Sequence, residues 1–204
     1  LTCRPPTDPQ NTDTANPYTG NAQWQIFPAY YSSTCGGYTE NSENVFGDSF
    51  QTLRPVPCAY CKDVARINLF FWPIVRIDKQ TVSRRLLERY DSLKKLGKVT
   101  QIQVAKSSEY DNFSRVTSVK LTGPGGSEYL RGEDFRLTLD PTGRKIRSTI
   151  FELCDFGDTW AFAAGRGYGH GVGLCKRGAV GLATRGQEAE EILDQLGRLG
   201  RRFD

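Results

Sequence analysis

The chain has 204 residues, 38% of them hydrophobic and 25% charged, enough for one large domain or two small ones around a real core. Its net charge of +4, from 27 basic and 23 acidic residues, is too mild for a nucleic-acid footprint, which needs a clustered basic face. No apolar run approaches the roughly 18 residues of a membrane span, no signal peptide is visible, and Met is absent, so Leu1 is read as lying inside a longer, processed polypeptide.

In chain order, residues 1–22 are rich in Pro, Asn, Thr and Asp and predict an irregular segment ahead of a domain over 23–200. "WQIFPAYYSS" predicts a strand leading to the Gly36–Gly37 turn, and residues 38–63 are polar and turn-rich. Val82, Leu86, Tyr90 and Leu93 recur at helical spacing, predicting one helix over 81–97 with a solvated basic face and a stop at Gly97. "VTQIQVAKSS" and "FSRVTSVKLTG" alternate apolar and polar residues and predict a hairpin, to which "SEYLRG" adds a strand. "GEDFRLTL" reads as a short helix, and "STIFELCDFG" with "TWAFAAG" as a second hairpin turning at Gly157–Asp158. Residues 172–186 and 187–197 predict two consecutive helices, and the Arg198, Arg201, Arg202 cluster a solvated tail. No βαβ rhythm and no internal repeat appear, so the expected class is α+β, with small antiparallel sheets and several helices.

Six cysteines punctuate the chain: Cys3, Cys35, Cys58, Cys61, Cys154 and Cys175. Cys58-x-x-Cys61 presents two thiolates to one metal, or forms a redox dithiol. Pro55 and Pro57 before it, and no helical periodicity after it, favour metal. With Cys35 the pair makes a three-thiolate zinc site whose fourth ligand is water, His170, Cys175 or Cys3. Cys154, in a strand, and Cys175, in the first turn of a helix, read otherwise as buried packing residues.

"GRGYGHGVGLCKRGAVG", residues 165–181, holds the chain's single histidine among glycines. Such a run marks either a loop that a ligand approaches closely or an unusually tight turn. His170 is accordingly read as functional, with a structural hydrogen bond or metal ligation as the other readings, and Tyr168 as an aromatic ring carried within the same loop. Trp160 alternates like a core residue. Gly178 and Gly181 each cost a helix about 1 kcal/mol against Ala; with Ala179 and Ala183 they offer a small-residue surface for close packing.

"GRGYGHGVGLCKRGAVGLA" resembles the signature G-R-G-[WYF]-G-H-G-V-G of the stage II sporulation protein D / LytB family, and "YYSSTCGGYTENSENVFG" resembles that family's G-G-x-T-E-N landmark. "LRGEDFRLTL" and "RSTIFEL" fall between them in the family's order, so the resemblance spans roughly residues 27–196. It implies a bacterial envelope protein, located outside the cytoplasm. The activity it implies is lytic transglycosylase action on peptidoglycan glycan strands stripped of stem peptides, or enhancement of an N-acetylmuramoyl-L-alanine amidase. It also implies a glycan groove lined by Ser33, Gly36, Gly37, Glu40, Asn41, Ser148, Tyr168, Gly169, His170 and Gly171, with zinc at Cys35, Cys58 and Cys61 shaping the groove rather than acting as a Lewis acid. The family's general acid is a glutamate on an N-terminal helix that matches nothing in this chain. The acid is therefore expected upstream of Leu1 or lost, with Glu40 the candidate within the chain, although a turn-rich polar loop is a poor place to bury it.

Overall fold

The computed structural model describes residues 2–3, 25–26, 29–50 and 53–197. The expected irregular segment lies outside them except at Thr2–Cys3 (β1), which pairs antiparallel with Gln25–Ile26 (β2). The basic tail beyond residue 197 also lies outside. Of the predicted strand over 24–33, the described residues show β2 and Tyr31–Ser32 (β3), while residues 24, 27 and 28 lie outside the described residues. The polar stretch 38–63 contains two short helices, Ser42–Phe46 (α1) and Cys61–Val64 (α2). The Asn41 side chain caps the first by accepting from the Glu43 N–H, the usual way an Asx residue starts a helix inside a polar loop. Ile67–Phe70 (α3) then leads into Phe71–Trp72 (β4) and Val75–Asp78 (β5).

The long predicted helix starts and ends differently. Asp78 caps Lys79–Arg89 (α4) by accepting from Thr81 N–H at 2.8 Å. Tyr90 is extended, and Asp91–Leu96 continue as a 3-10 turn that stops at Gly97. The tighter winding puts Leu93 and Leu96, three residues apart, on one face, where both are buried.

Gln101–Tyr110 (β6), Phe113–Gly123 (β7) and Gly126–Arg131 (β8) form an antiparallel sheet in that order. β6 runs further than its sequence pattern suggests and turns at Asp111–Asn112, with Tyr110 opposite Phe113. Gly132–Leu139 (α5) lies across the sheet, and a Cβ on Gly132 would come 2.2 Å from the Val116 carbonyl oxygen. Glu152–Phe156 (β9) and Thr159–Ala163 (β10) form the second predicted hairpin, and β5 joins its β10 edge. Cys154 is exposed rather than buried: its neighbour Leu153 packs against the core, and alternation turns Cys154 the other way.

Gly165–Arg166 (β11) pairs with β4, and Leu174–Cys175 (β12) runs parallel to β3. Lys176–Ala183 (α6) and Ala189–Gly197 (α7) follow. Cys175 is thus the cap of α6 and not part of its first turn. Helices and several small, mostly antiparallel sheets make this an α+β fold, as expected. No helix of the described residues is long and apolar enough to cross a membrane.

Two cores result. The larger gathers Val82 and Leu86 of α4, Val119 and Leu121 of β7, Phe135 of α5 and Phe162 of β10. The smaller holds Phe70, Leu182, Ile192 and Leu196 around Cys35, Cys58, Cys61 and Cys175. Leu86→Ala is expected to lower unfolding free energy by about 2–5 kcal/mol through lost burial and the cavity left behind. Ile67→Ala, at a position 71% exposed, should stay within about 0.5 kcal/mol. Urea unfolding midpoints of the two variants check both values.

Candidate functional site

The two motif segments lie against each other along a backbone seam. Thr34 N–H donates to the Tyr168 carbonyl at 3.0 Å and Tyr168 N–H to Thr34 at 2.8 Å; Glu40 N–H reaches the Gly171 carbonyl at 2.9 Å, and Leu174 N–H the Tyr30 carbonyl at 3.0 Å. The glycines make this approach possible. Gly167 and Gly173 have φ of +80° and +73°, and a Cβ on them would stand 2.8 Å from the Thr34 oxygen and 2.1 Å from the Tyr30 oxygen. At these positions the close partner is the protein's own backbone. The intervening Arg166, Tyr168 and His170 are half-buried and partly open to the outside.

Glu40 is completely buried, contrary to what its polar loop suggests. Its Oε1 accepts from Asn41 N–H at 2.8 Å, Asn44 Nδ2 at 2.9 Å and the Ser108 hydroxyl at 3.1 Å, while the Tyr110 hydroxyl donates to Oε2 at 3.4 Å. Arg115, itself 1% exposed, places Nε 3.6 Å from Oε2 and donates through Nη2 to the Cys35 carbonyl at 2.7 Å. Burial, then the Glu40 charge, pushes the Tyr110 hydroxyl well above its ordinary range and keeps it a donor. A buried charge pair is tolerable when hydrogen bonds satisfy its remaining atoms. Sequence reading missed Arg115, because an arginine in an alternating strand reads as solvent-facing and its partner Glu40 lies far away along the chain.

Cys35, Cys58, Cys61 and Cys175 are all fully buried, and their sulfurs lie within 4.8 Å of one another. The expected three-thiol set therefore gains Cys175, one of the four ligands left open, in place of its packing role. Cys35 and Cys61 sulfurs are 3.7 Å apart, close to the ~3.8 Å edge of a tetrahedron with ligands at about 2.3 Å. Such a set can hold a metal ion. Hydrogen bonds from the other three thiols push the Cys175 pKa far down, and the backbone N–H groups of Cys35 and Gly178 each donate to its sulfur at 3.3 Å. The glycine at 178 is explained here: a Cβ would lie 2.4 Å from the Cys58 sulfur. At Gly181 a Cβ would meet the Tyr60 carbonyl oxygen at 2.7 Å, so the small-residue surface seats α6 on the C-x-x-C turn.

His170 stands outside this cluster, packed edge-on to Phe46 and Tyr30 at centroid distances of 5.2 and 6.3 Å. Val172 N–H donates to its Nδ1 at 3.0 Å, which leaves the neutral ring's proton on Nε2. Of the expected groove residues, Glu40, Gly36, Ser148 and Gly171 are buried. Ser148 donates to the Arg166 carbonyl and accepts from Ile150 N–H at 3.1 Å. Ser33, Gly37, Asn41, Tyr168, Gly169 and His170 are half-buried. Cys3 falls where side chains are not described, and Trp72 and Trp160 are core residues.

No protein-family profile matches the chain. It is 31% identical over 175 residues to an uncharacterized protein of Brachyspira hyodysenteriae, covering 83% of this chain and 41% of that protein. It is 27% identical over 169 residues to stage II sporulation protein D of Bacillus subtilis, covering 83% of this chain and 43% of the relative. The chain thus spans less than half the length of the curated relatives it matches.

Burial holds the His170 imidazole below its ordinary value of 6.5. The unfolded chain therefore takes up this proton at a higher pH than the folded one, and stability falls as pH drops from the ordinary imidazole value through the folded one. The contribution is fully present above that window. His170→Gln should flatten this segment of the stability-against-pH curve, measured by urea unfolding at successive pH values, because the chain has 1 histidine.

Proposed function

We propose that this chain is a domain of the stage II sporulation protein D / LytB type that binds peptidoglycan glycan strands outside the bacterial cytoplasm. The observation that carries the reading is the seam: both motifs named by the resemblance interlock, Thr34 with Tyr168 and Glu40 with Val172, and His170 and Tyr168 remain partly open along it. Tyr168 supplies a face for a pyranose ring, and a neutral imidazole with hydroxyl and amide neighbours at Ser33 and Asn41 suits sugar hydroxyls and N-acetyl groups. Gly37 and Gly169 shape the same surface. Glu40, Gly36, Ser148 and Gly171 hold it from beneath.

In the complete protein the reading extends to strand cleavage. One carboxylic acid protonates the glycosidic oxygen, then takes the proton of the sugar's C6 hydroxyl as a 1,6-anhydro ring closes. Glu40 is enclosed among Asn41, Asn44, Ser108, Tyr110 and Arg115, so the acid is read as coming from a carboxylate elsewhere. This chain alone should therefore retain stripped glycan strands in a pull-down, and mass spectrometry should find no 1,6-anhydro products. Tyr168→Ala and His170→Ala should each weaken retention about tenfold, the scale of a lost stacking or hydrogen-bonding contact. Unchanged retention in both variants sinks the groove assignment. An amidase enhancer is the second reading, favoured by Ile67, Phe71 and Ile74, exposed at 71%, 43% and 59% within one short segment. Amidase stimulation without glycan retention would select it.

The metal is read as zinc in a closed, structural site of four cysteines. Four buried thiols whose sulfurs lie within 4.8 Å of one another suit zinc or iron, and four thiolates would complete a tetrahedral structural site. The protein's own residues do the work around it: Gly178 makes room for sulfur, and the Cys35 and Gly178 N–H groups orient Cys175. Elemental analysis of protein purified without chelator should give about one zinc per chain, reduced in Gly178→Ala and Cys175→Ser. Iron in place of zinc, or a disulfide among these four cysteines, overturns the assignment.

A further inference from the structure

We propose that a cavity outside the glycine seam is a binding site for a phosphorylated sugar or polyol, with Arg76, Arg85 and Lys145 holding the phosphate. None of its lining residues belongs to either motif segment, so the inference goes beyond the glycan reading and does not depend on it.

The cavity has a volume of about 400 Å³ and lies where strand β5, helix α4 and the end of α5 with its following loop meet. Arg76 comes from the strand, Arg85 from the helix and Lys145 from the loop. Arg85 is half-buried, and its Nη1 donates to the Leu139 carbonyl at the C-terminal end of α5. That bond serves a carbonyl the helix itself leaves unpaired, and it fixes the guanidinium at the cavity wall. One of its five N–H donors is used there, and the rest make no hydrogen bond among the described residues. The Arg76 guanidinium carbon lies 4.3 Å from the centre of the Phe156 ring, and its N–H groups are likewise unused among the described residues. Lys145 is placed by its backbone, whose N–H donates to Asp140 Oδ2 at 2.6 Å, while its ammonium group stays exposed. None of these three cations forms an ion pair with a carboxylate among the described residues.

The two carboxylates of the cavity, by contrast, are engaged. Asp78 accepts from Thr81 N–H at 2.8 Å as the cap of α4. Asp140 accepts from the Thr142 hydroxyl at 2.7 Å and from the Lys145 and Ile146 N–H groups at 2.6 and 3.0 Å. Three cations against two carboxylates leave the recess positive, and a concave wall focuses that field. An arginine fork with free donors, flanked by two further cations, matches a tetrahedral oxyanion. A phosphate ester brings about −1.5 to −2 charges at pH 7, against one for a carboxylate. The volume argues for more than phosphate alone, since clefts for small organic ligands begin at roughly 300 Å³. Ile77, Leu139 and Pro141 give the carbon skeleton an apolar part of the wall.

The test is titration calorimetry of the full chain at low salt with glucose 6-phosphate, glucuronic acid and glucose. Glucose 6-phosphate should bind saturably, about tenfold tighter than glucuronic acid, with no heat from glucose. Glycerol 3-phosphate and its diester glycerophosphoglycerol are titrated alongside. Binding of either supports the site, and the tighter of the two says whether a terminal or a bridging phosphate is its natural occupant. Arg85→Gln should weaken glucose 6-phosphate about tenfold, the loss of one charge-assisted hydrogen bond. Arg76→Gln and Lys145→Gln, at exposed positions where folding is not at stake, should each weaken it about threefold, the scale of an exposed charge pair. Silence from every phosphate ester, equal binding of glucose and glucose 6-phosphate, or an affinity unchanged in all three variants overturns the inference.

Discussion

The structure depends on a backbone contact that only glycine permits. Residues 30–40 and 167–174 approach until carbonyl oxygens occupy the places where Cβ atoms would be, 2.1 Å away at Gly173 and 2.8 Å at Gly167. An approach this close is held by hydrogen bonds such as the reciprocal Thr34–Tyr168 pair. A backbone so packed cannot slide, because moving it by one residue would drive side chains into the opposing carbonyls. The opposing cost is conformational entropy at each glycine.

Two buried polar clusters lock the ends of this seam. At one end Glu40 and Arg115 join the Gly36–Gly37 turn to strand β7, their buried charges paired at 3.6 Å and otherwise held by hydrogen bonds, although Arg115 Nε itself makes none. At the other end the four cysteines tie the same turn, through Cys35, to the C-x-x-C turn and the start of α6. Arg115 belongs to both, since it donates to the Cys35 carbonyl while facing Glu40. The smaller core has few large apolar side chains besides Phe70, Leu182, Ile192 and Leu196. A core that small gains little from burial alone, so the thiol cluster carries an unusual share of its organisation.

The larger core is built in the ordinary way and needs none of this. Its helix, strands and second hairpin bury Leu86, Val119, Phe135 and Phe162 against one another, and its glycines serve helix–sheet contact, as Gly132 does against the Val116 carbonyl. Polar chemistry and plain packing are thus separated within one chain: half-buried polar and aromatic groups lie along the seam, and the aliphatic bulk lies behind the sheets.

Sequence alone determined the elements whose pattern is local. The alternation of 101–123, the turn at Gly157–Asp158 and the helix over 132–139 follow from periodicity and turn chemistry, because each residue's burial there depends on its near neighbours. The glycine run, the C-x-x-C pair and Cys35 were legible as unusual, and two motifs in order were enough to associate the halves of the seam. Tertiary structure decided the rest. Cys175 joined the thiols, Cys154 faced outward, and the helix of 81–97 broke at Tyr90 because Leu93 and Leu96 both had to reach the core. Glu40 went inside because Arg115, Asn44, Ser108 and Tyr110 were waiting there, three of them from strands distant along the chain. Burial of a charge is a property of its partners, and no pattern of neighbours along the chain carries that information.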